Sequence, residues 1–266
     1  MKNEIDKAFE ITKKEKRPAL ISFTVAGDNT SKKSFEILKS ISNTVDIAEW
    51  GIAFNCPGAD GPEIQNSSYR AIKNGITLDS TFSLIKKYKK LRNSKPLILM
   101  GYYQLIYNYG EKKFIKKCKN VGVAGLIVVD LPWPDNKSFA KLCKKNSICF
   151  VQLIAPTTTK KRMKLIVKDS HELIYQVSNV NITGGKLKST TKTILNNYKT
   201  IKSINPKKNV IIGFGITKDT IGNFKAANGL VVGSACCKVI SNAIKKRKNP
   251  AKNLNIMLKD LKSRVI

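Results

Sequence analysis

The sequence predicts an α/β protein folded as a (β/α)8 TIM barrel, a single domain with an extra N-terminal helix. Eight short segments rich in Ile, Val and Leu recur along the chain, and polar segments with helical spacing lie between them. Nearly continuous apolar runs are typical of parallel strands buried on both faces, and alternation with helices predicts a parallel sheet covered by helices. The length of 266 residues suits one barrel of about 250 residues.

Strands are predicted where short apolar runs are bounded by polar or glycine-containing segments. They cover residues 19–25, 45–48, 97–101, 125–129, 148–154, 173–177, 210–213 and 229–232. A doubly wound open sheet is the alternative arrangement. No Gly-x-Gly-x-x-Gly pattern follows the first predicted strand, and no linker rich in Pro, Ser or Gly divides the chain. We therefore expect residues 1–266 to form one domain.

Helices are predicted where apolar residues recur at three- to four-residue spacing between the strands. Such segments are 31–42, 81–91, 137–145 and 189–204. Residues typical of helix starts lie at Thr30, Pro134 and Thr217. Segment 2–16 is expected to add an N-terminal helix that covers the bottom of the barrel, and segment 250–262 a C-terminal helix.

The formal net charge of +31 raises the question of a nucleic acid partner. Nucleic-acid-binding proteins usually concentrate their basic residues on one face or tail, whereas lysines here are spread over the whole chain and fall on outer faces of predicted helices, as in residues 86–90. Lys, Asn and Ile share A/T-rich codons, so an A/T-rich genome explains the charge without a partner. We expect no specific nucleic acid partner.

Several features predict a cytoplasmic protein without a membrane anchor. No apolar run approaches the ~20 residues that a membrane span needs, and the N-terminal segment lacks the apolar core of a signal peptide. The six cysteines show no Cys-x-x-Cys spacing. Free thiols in a reducing compartment are therefore expected.

The stretch from residue 45 to residue 62 carries two carboxylates at the end of a predicted strand. Glu49 ends an apolar run, and Asp60 lies in the following loop of Gly, Pro and Asn. Two acids held apart by a structured turn can divide the work of proton transfer and charge stabilisation. A surface loop with two solvated acids is the alternative interpretation.

Glycine-rich loops follow the last three predicted strands, at residues 182–185, 213–216 and 232–235. Loops after strands seven and eight of such barrels often bind phosphate, because glycine lets backbone N–H groups approach the anion and a helix N-terminus adds partial positive charge. The alternative is that these glycines only make tight turns.

Other catalytic classes find little support. The single histidine, His171, precedes a strand and so falls at the bottom of the barrel, which argues against Ser-His-Asp, Cys-His and histidine-ligated metal sites. No lysine ends a predicted strand, as a Schiff-base enzyme would need. Carboxylate acid/base chemistry on a phosphorylated substrate remains. The residues expected near the barrel mouth are largely apolar and suggest that the end of the substrate away from its phosphate is flat and apolar. They are Phe23, Leu99, Tyr175 and Phe214.

On these residues the chain resembles the tryptophan synthase alpha subunit family. The matching stretches are Glu-Trp-Gly at 49–51, Ala-Asp-Gly-Pro-Glu-Ile-Gln at 59–65, and the segments 122–132, 154–157, 182–184, 213–216 and 232–235. They run in order over nearly the whole chain. The resemblance implies a (β/α)8 barrel that cleaves indole-3-glycerol phosphate to indole and glyceraldehyde 3-phosphate, in the tryptophan biosynthesis pathway. It implies no cofactor or metal in this chain, and a pyridoxal-phosphate beta subunit as partner in a heterotetramer of two alpha and two beta chains.

The resemblance also implies residue roles. Glu49 would be the general acid/base, and Asp60 would accept the indole N–H. The phosphate ligands would be Gly184, Gly215, Gly233 and Ser234. The indole pocket would include Phe23, Tyr175 and Phe214.

The chain departs from the family pattern between the two acids, where it has Ala53, Asn55 and Cys56 in place of the usual Pro, Ser and Asp, and it has Gln104 in place of Asn. In the family this region touches the beta subunit, so we expect weaker activation by that partner. Together with the A/T-rich codon bias, these departures indicate a bacterium with a reduced genome. A weakly catalytic barrel kept as an allosteric scaffold for the beta subunit is the alternative function.

Overall fold

The computed structural model describes residues 3–178, 190–213 and 215–266, and over these ranges nine parallel strands form one sheet. The strands are β1 (Ala19–Val25), β2 (Ile47–Gly51), β3 (Leu97–Gly101), β4 (Gly125–Val128), β5 (Cys149–Phe150), β6 (Gln152–Ile154), β7 (Leu173–Val177), β8 (Asn209–Gly213) and β9 (Gly229–Val232). Their order is β5-β4-β3-β2-β1-β9-β8-β7-β6. The two outermost strands in this order are consecutive in the chain and separated only by Val151, so the sheet closes into a barrel.

β5 and β6 are the two halves of one predicted strand, which confirms the eightfold pattern. β5 pairs with β4, and β6 pairs with β7. The strand thus changes partner at Val151. On the β7 side, the Phe150 N–H donates to Nδ1 of His171 at 2.9 Å. The histidine therefore bonds to the barrel wall ahead of β7, as the sequence predicts.

Helices cover the outside of the barrel. They are α1 (Glu4–Lys14), α2 (Ser31–Ile41), α3 (Pro62–Lys73), α4 (Leu78–Lys89), α5 (Tyr103–Tyr109), α6 (Glu111–Val121), α7 (Lys137–Lys145), α8 (Lys160–Asp169), α9 (Thr191–Ile204), α10 (Ser234–Lys245) and α11 (Pro250–Ser263). A short 3-10 helix spans Ile221–Phe224. Within the described ranges, no helix combines the length and apolar character needed to cross a bilayer.

Some predicted boundaries are wrong. β2 begins two residues later than predicted and extends to Gly51, so Glu49 is its central residue and not the residue after its end. The strand continues because Trp50 is fully buried and Gly51 still pairs with β3. The segment after Thr217 forms a turn and the 3-10 helix, since the hydroxyl of Thr220 accepts from the Thr217 N–H. The helix predicted over 137–145 has these bounds, and the start signal at Pro134 lies in the turn before it.

The apolar core has two layers. One fills the barrel interior with side chains such as Phe23, Ile98 and Tyr175, and the other lies between the barrel and its helices. Successive strand residues alternate between the layers. Leu99 therefore packs against the helices, and it is Met100 that lines the cavities at the barrel mouth, which corrects the expected place of Leu99.

The extra N-terminal helix closes the bottom of the barrel. Asn3 caps α1 and also donates from its amide to the carbonyls of Ala124 and Ser147, which precede β4 and β5. Ile5 and Phe9 of this helix are buried beneath Gly125 and Gly229, the first residues of their strands. With the bottom filled, the opposite end is free for a site.

Candidate active site

Two cavities open among the C-terminal ends of the strands, where enzymes of this architecture place their sites. The larger has a volume of about 500 Å³ and includes Asp60 in its lining. The smaller has a volume of about 250 Å³ and includes Glu49. Met100 and Tyr175 line both cavities, so these two side chains form the boundary between them.

Glu49 points into the barrel from the centre of β2, between Phe23 of β1 and Ile98 of β3 in the sheet register. Its side chain is 1% exposed, and its Oε2 atom has no hydrogen-bond partner among the described residues. Burial, together with the nearby negative charge of Asp60, raises the pKa of this carboxyl to about 8. Glu49 therefore holds a proton at neutral pH and can act first as an acid.

Asp60 lies in the loop between β2 and α3 and is 5% exposed. Its Oδ2 accepts from the hydroxyl of Tyr102 at 3.0 Å, and that hydroxyl also accepts from the Ala59 N–H at 3.1 Å. The amide of Gln65 donates to the Asp60 carbonyl at 2.8 Å. The loop is thus fixed from α3 and from the residue after β3.

The two carboxyls have different charge states near neutral pH. Burial raises the pKa of Asp60, and the hydrogen bond from Tyr102 limits the rise, so that the pKa is about 6. Asp60 is therefore mostly ionised at neutral pH, whereas Glu49, with its pKa of about 8, is mostly protonated. Environments that push two pKa values apart assign an acid and an anion to a catalytic pair.

Three of the four predicted phosphate ligands line the smaller cavity together with Glu49: Gly215, Gly233 and Ser234. Ser234 is the first residue of α10, so the N-terminus of this helix faces the cavity. Gly215 has a φ of +71°, a conformation that glycine adopts without strain. Gly184 and Phe214 fall outside the described residues.

Two strand glycines make room for the predicted aromatic residues of the site. A Cβ atom on Gly51 would lie 2.6 Å from the Phe23 ring, and one on Gly213 would overlap the Tyr175 hydroxyl. Phe23 lines the smaller cavity beside Glu49, and Tyr175 lies at the boundary of both cavities. The two aromatic side chains can occupy the barrel interior because their neighbours lack side chains.

Comparison with known proteins decides the family. The family model of the tryptophan synthase alpha chain matches residues 9–265. The chain belongs to this family. It is 58% identical over 256 residues to the tryptophan synthase alpha chain of Pelagibacter ubique, covering 96% of this chain and 97% of that one. It is 36% identical to the alpha chain of Thermoanaerobacter sp. over 92% of this chain and 93% of that one.

Solved structures of the tryptophan synthase alpha family agree with the barrel. The crystal structure of the alpha subunit from Legionella pneumophila superposes with a TM-score of 0.90 at 27% identity, over 99% of this chain and 98% of that one. The TIM-barrel prediction is thereby confirmed, and the sequence resemblance to the tryptophan synthase alpha family is confirmed as well.

Sequence reasoning missed three residues of this family member's site. The hydrogen bond from Tyr102 to Asp60 joins residues 42 positions apart, so no pattern along the chain indicated Tyr102. Met100 could have been found from strand alternation, because it follows an outward-facing Leu99. Lys238 also lines the smaller cavity. It lies four residues after Ser234, a spacing that places both on one helix face.

Proposed function

We propose that this chain cleaves indole-3-glycerol phosphate to indole and glyceraldehyde 3-phosphate, with Glu49 as general acid/base. The observation that carries the proposal is the pair of buried carboxyls at the barrel mouth, one protonated and one ionised near neutral pH. The family of the chain agrees with this reaction. We further propose that residues 1–266 act as one domain.

The reaction needs one proton at the ring and the removal of another from the side chain. The carboxyl of Glu49 donates its proton to the ring carbon that carries the glycerol phosphate chain. The resulting carboxylate then takes the proton of the side-chain hydroxyl next to the scissile bond. That bond breaks, its electron pair returns to the ring, and the hydroxyl becomes the aldehyde of glyceraldehyde 3-phosphate. Glu49 ends the cycle protonated, as it began.

Asp60 stabilises the charge that this transfer creates. Protonation of the ring carbon leaves positive charge on the indole nitrogen, and a fixed anion that accepts the N–H lowers the energy of that state. The bond from Tyr102 keeps the carboxylate in place before substrate arrives. Preorganised charges of this kind cost little reorganisation during the reaction.

The substrate fits across both cavities. Its indole ring lies by Asp60 and Tyr175, and its phosphate lies on Gly215, Gly233 and Ser234 in the smaller cavity. Phe23 contacts the substrate near Glu49. We also assign Gly184 to the phosphate and Phe214 to the ring on the family pattern alone. The junction at Met100 and Tyr175 then holds the scissile bond within reach of Glu49.

The beta subunit is the proposed partner, in a heterotetramer of two alpha and two beta chains. It would carry pyridoxal phosphate and join the released indole to serine, while this chain uses carboxyl groups alone. The rim formed by residues 53–58, Gln104 and Pro132, which are exposed or half-buried, lies beside the larger cavity and is the proposed contact. All six cysteines are free thiols, which supports a cytoplasmic location.

A lyase assay on the purified chain tests the function. Incubation with indole-3-glycerol phosphate should release indole and glyceraldehyde 3-phosphate in equal amounts, measured by chromatography and by a coupled dehydrogenase. The assay should be run with and without the cognate beta subunit. A chain that releases no indole under either condition would refute the proposed reaction.

A further inference from the structure

The charge of the smaller cavity depends on one side chain. Its described lining includes two carboxyls, Glu49 and Glu63, and one cation, Lys238. Glu63 lies in the first turn of α3, a helix that packs against α10. Without Lys238 the described side chains of this cavity would offer no positive charge to a substrate that carries a phosphate dianion.

The position of Lys238 on α10 directs it towards the same place as the phosphate ligands. Residues four apart on a helix lie one above the other on the same face, and Ser234 is four residues before Lys238. Ser234 and Lys238 both line the cavity, together with Gly215 and Thr217, which follow β8. A cation one turn above a helix N-terminus therefore extends the positive end of that helix along the cavity.

The ammonium group of Lys238 is free to take a new partner. The side chain is exposed and makes no hydrogen bond or ion pair with the described residues. Other lysines bordering buried regions are already bound, as Lys262 is to Asp46 and to the Thr44 carbonyl. A second feature also points to a ligand here, because Glu49 lines this cavity and its buried Oε2 has no hydrogen-bond partner among the described residues.

We propose that Lys238 is a phosphate-binding residue of this site and sets its preference for a phosphorylated substrate. The inference rests on the proposed function and adds a charged ligand to the backbone N–H groups of the glycine loops. Backbone donors recognise the shape of a phosphate, whereas an ammonium group pairs with its charge and is a strong, charge-assisted donor. Lys238 positions the phosphate and takes no part in proton transfer.

Kinetics of two substitutions at this residue test the proposal. Lys238→Met removes the charge and keeps most of the length of the side chain. It should raise KM for indole-3-glycerol phosphate roughly ten-fold, as expected for loss of a charge-assisted hydrogen bond. The value of kcat should change by less than about two-fold. Lys238→Arg should restore most of the affinity. Lys245→Met, at the other end of α10, is the matched control and should leave KM unchanged.

Direct binding of inorganic phosphate separates this inference from the proposed function. Titration calorimetry should show phosphate binding to the wild type and to Lys245→Met, and binding at least several-fold weaker to Lys238→Met. Phosphate binding that depends on Lys238, in a chain without lyase turnover, would refute the proposed function alone. Equal phosphate affinity and equal KM in wild type and Lys238→Met would refute the role of Lys238.

Discussion

At the scale of single residues, the site depends on two carboxyls that burial affects to different degrees. Glu49 is fully buried and lies near the negative charge of Asp60, so its pKa rises to about 8. Among the described residues, Tyr102 donates to the carboxylate of Asp60 and limits the rise of its pKa to about 6. Tyr102 in turn stacks on Phe54, with ring centroids 4.9 Å apart. The charge state of Asp60 is thus linked to the loop that precedes it.

Tyr102→Phe should raise the pKa of Asp60 above about 6, because the substitution removes the hydroxyl that stabilises the carboxylate and keeps the ring on Phe54. Catalysis needs ionised Asp60, so as pH is lowered the variant should lose lyase activity at a higher pH than wild type does. The acidic limb of the kcat/KM profile should move up by about one pH unit. Tyr107→Phe is the control, since Tyr107 is 69% exposed. Superimposable profiles for wild type and Tyr102→Phe would rule out this role.

Glu49 should make the fold less stable as pH rises. Its pKa rises from 4.5 in the unfolded chain to about 8 in the folded one, so folding retains a proton that the unfolded chain loses. The free energy of unfolding therefore falls between these two pH values, by at most about 1.4 kcal/mol per pH unit from this group. Glu49→Gln has no ionisable carboxyl at this position, so its free energy of unfolding should increase relative to that of wild type as pH increases.

Urea unfolding of wild type and Glu49→Gln at pH 5.5 and pH 8 measures this difference. Glu36→Gln, an exposed substitution on α2, serves as the control for removal of a carboxyl. We expect the stability of Glu49→Gln relative to wild type to increase at the higher pH, and that of Glu36→Gln to stay the same. A relative stability of Glu49→Gln that does not change with pH would mean that Glu49 ionises normally in the folded chain.

At the scale of strands and helices, glycines in the barrel strands leave space for the aromatic side chains of the site. Gly51 on β2 and Gly213 on β8 stand beside Phe23 and Tyr175, where any larger residue would displace an aromatic ring of the site. The glycine loops supply backbone donors for the proposed phosphate site. The sheet itself therefore fixes the shape of both cavities.

Gly213→Ala should damage both stability and activity, because its Cβ atom would overlap the Tyr175 hydroxyl. Overpacking of a well-filled core costs about 1–3 kcal/mol, measurable by urea unfolding, and the displaced ring should lower kcat/KM at least roughly ten-fold. Gly222→Ala is the matched control, since no atom lies within 4 Å of its Cβ position. Equal stability and activity in the two variants would mean that Tyr175 does not need this space.

The strands could be predicted well because a buried parallel barrel demands continuous apolar runs. β1, β3, β7 and β9 have the predicted bounds. The bounds of β2 were misplaced because Glu49, a polar residue, interrupts the apolar pattern in the middle of the strand. The Tyr102–Asp60 bond could not be predicted, because a contact across 42 residues depends on how the loop after β2 folds back over β3.

At the scale of the whole molecule, a partner bound at the rim would be connected to Asp60 through two side chains. Phe54 of the rim stacks on the ring of Tyr102, and the hydroxyl of Tyr102 donates to the carboxylate of Asp60. A beta subunit that orders residues 53–58 would therefore fix the position of Asp60 before substrate binds. Cys56 is exposed and, like Ala53, cannot offer the polar contacts of the family pattern, so we expect activation to be smaller than in relatives.

Sedimentation of the purified chain with its cognate beta subunit tests this prediction. We expect a complex at micromolar concentrations and a higher lyase rate within it. Phe54→Ala should lower the activation more than it lowers the basal rate, because it breaks the path between the rim and Tyr102. A chain that stays free at these concentrations with an unchanged lyase rate would refute the contact.

The most direct measurement of the central claim is single-turnover cleavage of indole-3-glycerol phosphate by wild type and Glu49→Gln, with circular dichroism to show that both are folded. The amide keeps the shape of the side chain but cannot transfer a proton. We predict that the substitution lowers the cleavage rate by about 10²–10⁴-fold while substrate still binds. A folded Glu49→Gln variant that cleaves the substrate at nearly the wild-type rate would contradict the assignment of Glu49 as the general acid/base.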